Sequence, residues 1–231
     1  GISPRVKEVL KTAYKNIERY PDGNGYYLKQ AITKKFNLID KQIILGNGSN
    51  DILELVARTF LKAGDEAIFS EHAFAVYELV VKATGAKGIE VSAKNFEHDL
   101  NAFEKQITKK TKVIFIANPN NPTGTLIEKK KILNFLSSIS KNIIVVLDEA
   151  YDEYLDHELK SQAFTWLENY PNLLISRSFS KAHGLAGLRI GYGVTHPVLA
   201  EYMNRIRQPF NVNNIAQLSA IEPLADDDFI Q

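Results

Sequence analysis

The 231-residue chain contains no cysteine, one methionine and one tryptophan. Without a thiol, a disulfide framework, a thiolate metal site and a cysteine nucleophile are all excluded. An excess of one charge is missing as well: 28 Lys and Arg stand against 27 Asp and Glu, a formal net charge of +1. That balance gives no reason to expect a nucleic acid or an anionic membrane as partner. Long apolar runs are also absent, since no stretch approaches the roughly 20 residues that span a bilayer. Gly1-Ile-Ser-Pro is not a signal peptide, and a start without methionine points to a processed or partial chain. The cytosol is the expected compartment, and no metal site is expected.

What is present has the make-up of a soluble globular protein, 45% hydrophobic and 24% charged. The length suits one large domain or two modest ones. Val6, Val9, Leu10, Ala13, Tyr14 and Ile17 recur at helical spacing after a Ser3-Pro4 start that suits a cap and first turn. A turn-rich segment from Tyr20 to Tyr26 leads to a second helix over 27–36, and Ile43-Ile-Leu45 enters the glycine turn Gly46-Asn-Gly-Ser-Asn50. An amphipathic helix begins near Asn50, marked by Ile52, Leu53, Leu55, Val56, Phe60 and Leu61.

The pattern then becomes regular. Strands are predicted at 67–70, 88–91, 113–117, 143–147, 173–175 and 188–194, and helices at 73–84, 99–107, 128–139 and 161–169. Residues 197–222 read as helical with a break around Pro209–Asn214. Lys129-Lys-Lys131 is a solvated helix face. Alternation at this spacing predicts a mostly parallel sheet with helices on both faces.

Chemistry gathers at the ends of these strands. Val113–Ala117 runs into Asn118-Pro-Asn-Asn-Pro-Thr-Gly124, the next strand ends in Asp148-Glu-Ala-Tyr151, and the one after it in Ser178-Phe-Ser-Lys181. Asn121, Asp148 and Lys181 are separated by about 30 residues each, the length of one βαβ unit, so their side chains belong on one rim of the sheet. Taken alone, each has an ordinary reading: a turn, an acidic strand end, a surface lysine. An acidic strand end also suits a nucleotide hydrolase, but the phosphate loop Gly-x-x-x-x-Gly-Lys-[Ser/Thr] is absent. Gly46-x-Gly48 lacks the third glycine of the dinucleotide fingerprint. The helix near Asn50 offers bare N–H groups to an anion, unless Ser49 or Asn50 simply caps it.

Together, an amine, a carboxylate, an amide, a phenol and an anion-ready helix start form the set that a pyridoxal 5'-phosphate site uses. Lys181 would form the Schiff base and Asp148 would keep the pyridine nitrogen protonated. Asn121 and Tyr151 would hydrogen-bond the phenolic oxygen, with Ser178, Ser180 and Arg189 around the phosphate.

Gly46-Asn-Gly-Ser-Asn-Asp51, Asn118-Pro-Asn-Asn-Pro-Thr-Gly124, Leu147-Asp-Glu-Ala-Tyr151 and Ser178-Phe-Ser-Lys-Ala182 with Leu185-Ala-Gly-Leu-Arg-Ile-Gly191 resemble the fold-type I pyridoxal-phosphate aminotransferases. Arg19-Tyr-Pro-Asp-Gly-Asn-Gly-Tyr26 and Gln208-Pro-Phe-Asn-Val-Asn213 are similar to the histidinol-phosphate subfamily. The likeness runs over essentially the whole chain. It implies a three-layer α/β/α sandwich, the large domain of these transferases, with Lys181 as the Schiff-base lysine and proton carrier. It also implies that Ser49 and Asn50 amides hold the phosphate and that Phe74 stacks on the ring. Tyr20 would reach the cofactor of a neighbouring subunit, so a homodimer is implied. For Phe74 and Tyr20, core or surface packing is the competing reading.

The implied reaction is amino transfer between a small-molecule amino donor and a 2-oxo acid: L-histidinol phosphate and 2-oxoglutarate, in histidine biosynthesis. The alternatives are an aromatic amino-acid aminotransferase, more distantly a threonine-phosphate decarboxylase, or a cofactor-binding remnant without turnover. Expected segments are a helical start (1–40), a cofactor-binding domain (41–210) and the beginning of a connection (211–231). The small C-terminal domain that supplies an arginine for the substrate carboxylate in relatives, and most of their N-terminal arm, are expected to be missing.

Overall fold

The computed structural model describes residues 1–226 and 229. At its centre lies β5 (Ile144–Asp148), whose residues are all buried. It is flanked by β4 (Thr111–Ala117) and β6 (Leu173–Ser178). Beyond β4 lie β2 (Glu66–Ser70) and the edge strand β3 (Lys87–Val91), and beyond β6 lie β7 (Gly191–Thr195) and β1 (Ile43–Gly46). The pairs β2–β3, β2–β4, β4–β5 and β5–β6 are parallel, whereas β7 runs antiparallel to both β6 and β1. The expected mostly parallel sheet is therefore present, with seven strands.

Parallel neighbours require crossovers, and helices supply most of them. These are α4 (Val76–Ala83), α5 (Leu100–Gln106) and α6 (Lys129–Ser138), while α3 (Ser49–Phe60) carries the chain from β1 to β2, which are not neighbours in the sheet. Side chains alternate across a strand, so each strand feeds two cores. Val146, Leu174 and Phe115 pack with α3, α4 and α7 (Pro197–Ile206) on one face. Val145, Leu147, Leu173 and Ile175 pack on the other with α5, α6, α1 (Pro4–Ala13), α2 (Tyr26–Phe36) and α8 (Asn214–Leu224). The result is the three-layer α/β/α arrangement.

Local chemistry sets several helix starts. Ser3 accepts from the Val6 N–H with Pro4 in the first turn of α1; Asp99 does the same for Ala102 in α5, and Asn213 for Ala216 in α8. Helix α1 is shorter than predicted, ending at Ala13 before a 3-10 turn over Tyr14–Asn16, and α4 starts at Val76.

Two elements differ more. The helix expected over 161–169 is only a 3-10 turn, Ala163–Trp166. Gln162 enters it in a left-handed conformation at φ 58°, and Ala163 and Trp166 are its buried anchors. The strand expected from Leu188 begins at Gly191, because Ala186–Leu188 form another 3-10 turn and Arg189 is left-handed at φ 57°. Part of the expected connection, residues 227, 228, 230 and 231, lies outside the described residues. Among the described residues no helix is long and apolar enough to cross a membrane.

Candidate active site

Because β4, β5 and β6 are parallel, the loops that follow them leave from one rim, where α/β sheets bind ligands. The loops from Asn118, Asp148 and Ser178 there enclose a cavity of about 230 Å³, together with the start of α3 and the start of α4. Every candidate residue except Tyr20 lines it: Ser49, Asn50, Phe74, Asn121, Asp148, Tyr151, Ser178, Ser180, Lys181 and Arg189.

One end is built for an anion. Gly48 precedes α3 with φ 81°, and no side chain caps the helix, so plain capping by Ser49 or Asn50 does not occur. The first-turn N–H groups and the positive end of the helix dipole are left toward the cavity. A Cβ at Gly48 would also lie 2.2 Å from an Arg189 guanidinium nitrogen, which would have to move out of this corner. At Gly191 a Cβ would lie 2.5 Å from the Ser49 amide nitrogen. These two glycines let the helix start, Arg189 and the head of β7 close on one another. Arg189 Nη1 donates to Ser180 Oγ at 3.2 Å and to the Ala186 carbonyl at 3.0 Å, while the Ser180 N–H donates to Ser178 Oγ at 3.1 Å. A cation, two hydroxyls and bare amides thus share one corner, a donor set suited to a phosphate dianion.

The other end centres on Asp148, the last residue of β5. It is 5% exposed, and burial pushes its carboxyl up from 3.8 to about 6, against hydrogen bonds from Tyr77 and Ala150 and the charge of Lys181. Tyr77 Oη–H donates to Oδ2 at 2.9 Å and the Ala150 N–H to Oδ1 at 3.3 Å. The Lys181 amine lies 5.1 Å from the centre of the Tyr151 ring. In the β4 loop, Asn118 exchanges two hydrogen bonds with Ile127, and Asn120 donates to the His72 carbonyl and Thr123. Those two amides tie the loop down and leave Asn121 at the cavity wall. Phe74 meets Tyr77 edge-on, with centroids 6.0 Å apart.

Tyr20 is not brought to this cavity. It is 83% exposed and stacks on Phe210 at 4.8 Å. Two features escaped the sequence reading. Tyr77 lies three residues beyond Phe74, in the first turn of α4, and the sequence motifs assign it no role. Arg177 and Glu149 were passed over as well. They alternate with Ser178 and Asp148 and therefore point away from the cavity, into a buried cluster. There Arg177 contacts Glu149 at 2.6 Å, Asp152 at 2.9 Å and Glu153 at 3.1 Å, and Ser161 donates to Glu149.

The sequence matches the family of class I and II aminotransferases over residues 2–231. It is 56% identical over its whole length to histidinol-phosphate aminotransferase of Methylobacillus flagellatus, covering 62% of that protein, and 51% identical to histidinol-phosphate aminotransferase 2 of Nitrosospira multiformis, covering 59%. The chain thus spans about three-fifths of the length of these curated relatives. Its fold superposes on histidinol-phosphate aminotransferase from Sinorhizobium meliloti, solved in complex with pyridoxal-5'-phosphate. The TM-score is 0.95 and the identity 28%, over all of this chain and 62% of that one. Sequence match, fold and the gathering of the strand-end residues agree: the chain belongs to the class I and II aminotransferases.

Proposed function

We propose that the chain is the cofactor-binding part of a pyridoxal-phosphate-dependent aminotransferase. It would exchange the amino group between L-histidinol phosphate with 2-oxoglutarate and imidazole-acetol phosphate with L-glutamate, in histidine biosynthesis. One observation carries this: the cavity joins an anion corner at Ser49, Arg189 and Ser180 to a buried carboxylate, Asp148, with Lys181 on its wall. The identity to two histidinol-phosphate aminotransferases supports the substrate.

The residues present fit the cofactor. Asp148 is buried with its carboxyl pushed up to about 6 by burial, so it gains from a cationic ring nitrogen beside it. Bound there, pyridoxal phosphate supplies an electron sink for the bonds at the substrate's amino-bearing carbon. The chain's own residues do the rest. Arg189, Ser178, Ser180 and the first-turn amides of α3 grip the phosphate, and Asn121 and Tyr151 hold the phenolic oxygen. Phe74 covers the ring. Lys181 would anchor the cofactor covalently, and its amine would be the base that takes the proton from the substrate carbon.

The proposed division of the chain is a helical start over 1–40, a cofactor-binding domain over 41–210 and the beginning of a connection over 211–231. We further propose a cytoplasmic homodimer in which Tyr20 reaches the partner's site. The exposure of Tyr14, Tyr20, Tyr26 and Tyr27 in the N-terminal segment supports it. Light scattering tests this directly, and a strictly monomeric holoprotein removes the role of Tyr20.

The decisive experiment uses Lys181→Ala. The purified protein is expected to be yellow, and the variant to lose the visible absorbance of lysine-bound cofactor altogether. An unchanged spectrum overturns the assignment. A panel in which the enzyme transaminates phenylalanine well and histidinol phosphate not at all overturns the substrate.

A further inference from the structure

Tyr77 reaches Asp148 from an element 71 residues earlier in the chain, and its ring is fully buried. It stacks on Phe115 of β4 at 4.9 Å with the planes 11° apart, and Phe74 meets it edge-on. Packing fixes the ring on both sides, so its single polar atom has one place to go. A phenylalanine would fill the same space; the hydroxyl is what the packing alone leaves unexplained. A buried hydroxyl needs a partner, and this one donates to the carboxylate that ends the central strand.

We propose that Tyr77 is a positioning residue for the cofactor ring: its phenol holds Oδ2 of Asp148, fixing the plane of the carboxylate presented to a protonated pyridine nitrogen. This rests on the pyridoxal phosphate reading above. The groups that act on Asp148 are Tyr77 from α4, the Ala150 N–H beyond β5, and Lys181 from the loop after β6. Burial opposes the carboxylate, and the Tyr77 hydrogen bond is the strongest of the three forces that favour it. Tyr77 itself stays protonated, because burial and then the Asp148 charge hold its phenol well above its ordinary range, so it remains a donor at any working pH. A charge-assisted hydrogen bond of this kind both orients and stabilises its acceptor.

The test is Tyr77→Phe, which keeps the ring packing. In the cofactor-free protein, carboxyl ¹³C NMR, with the Asp148 signal assigned by its loss in Asp148→Asn, should show Asp148 titrating about one pH unit higher in Tyr77→Phe. Pyridoxal phosphate should bind about tenfold more weakly, while the constant for inorganic phosphate, which touches only the far end of the cavity, stays within twofold. In the Asp148→Asn background, Tyr77→Phe should cost no further affinity. A purely structural tyrosine would move neither the titration nor the ratio of the two ligands.

If Tyr77→Phe does not fold, site-specific fluorination of the Tyr77 ring makes the phenol a stronger donor and should shift Asp148 downward. Unchanged titration, or a shifted titration with unchanged cofactor affinity, overturns the proposal. Failure of the wild type to bind pyridoxal phosphate has a separate signature and overturns the cofactor reading itself.

Discussion

Asp148 and Glu149 are neighbours in the chain, yet they face opposite layers of the molecule and handle charge in opposite ways. Asp148 shares its face of the sheet with Ser178 and opens on the cavity. Glu149 shares the other face with Arg177 and is closed off from solvent at 0% exposure. On the closed side three carboxylates share one guanidinium within the fold. Arg177 Nε and Nη2 both reach Glu149 Oε2, Nη1 reaches Asp152 and Glu153, and the guanidinium lies 5.0 Å from the Phe164 ring. Burial works against the Arg177 charge, but Glu149, Glu153 and Asp152 together outweigh it and hold the guanidinium well above its ordinary range. On the open side Asp148 has neutral donors and a lysine, and among the described residues Arg189 donates from Nη1 to a hydroxyl and a carbonyl. Strand alternation thus lets two adjacent strand ends deliver one charge cluster that holds the rim together and another that is left for a ligand.

The first way to break this contrast is to remove the arginine from each side. Arg177→Met leaves three carboxylates without their cation in a buried space and should lower unfolding stability by about 3–5 kcal/mol. Arg189→Met should change stability by no more than about 1 kcal/mol, yet weaken pyridoxal phosphate binding roughly 30-fold through lost charge-assisted hydrogen bonds. Urea titration of the cofactor-free proteins and equilibrium cofactor binding separate the two effects. If Arg177→Met were as stable as Arg189→Met, the closed cluster would not be what holds the rim.

Much of this layout was readable in advance, and the part that was not has a common cause. The strands around β5 announce themselves because both faces are apolar, and Asn121, Asp148 and Lys181 follow because parallel strands at one βαβ spacing must end on one rim. The role of Ser49 and Asn50 was undecidable from the residues, since a capping side chain and a bare helix start are written with the same letters. The absence of a side-chain cap at Gly48 settles that local question. Arg177 stands one residue from Ser178, but pairing it with Glu149, Asp152 and Glu153 needs the knowledge that β5 and β6 are neighbours. Tyr77 needs a contact across 71 residues. The expected helix over 161–169 failed for the same kind of reason: the burial of Ala163 and Trp166 under the sheet, not local propensity, decides the turn.

A smaller effect sharpens the contrast through pH. The Asp148 carboxyl is raised in the fold, from 3.8 to about 6, by burial ahead of every opposing contact. Its contribution to stability is therefore fully present below about pH 4 and is lost as pH rises through about 6. Glu149 is raised to about 7, again by burial first, with Arg177 pulling it back. Both residues should make the cofactor-free protein less stable between pH 4 and pH 7, and Asp148→Asn tells them apart. The stability of the wild type relative to Asp148→Asn should fall by about 2–3 kcal/mol over that range, because the Glu149 contribution is common to both proteins and cancels. Saturating pyridoxal phosphate should reverse the slope of that difference, since a cationic ring nitrogen lowers the Asp148 titration and leaves the closed cluster untouched. A difference that stays flat with pH in the cofactor-free pair would mean that burial does not raise the Asp148 carboxyl.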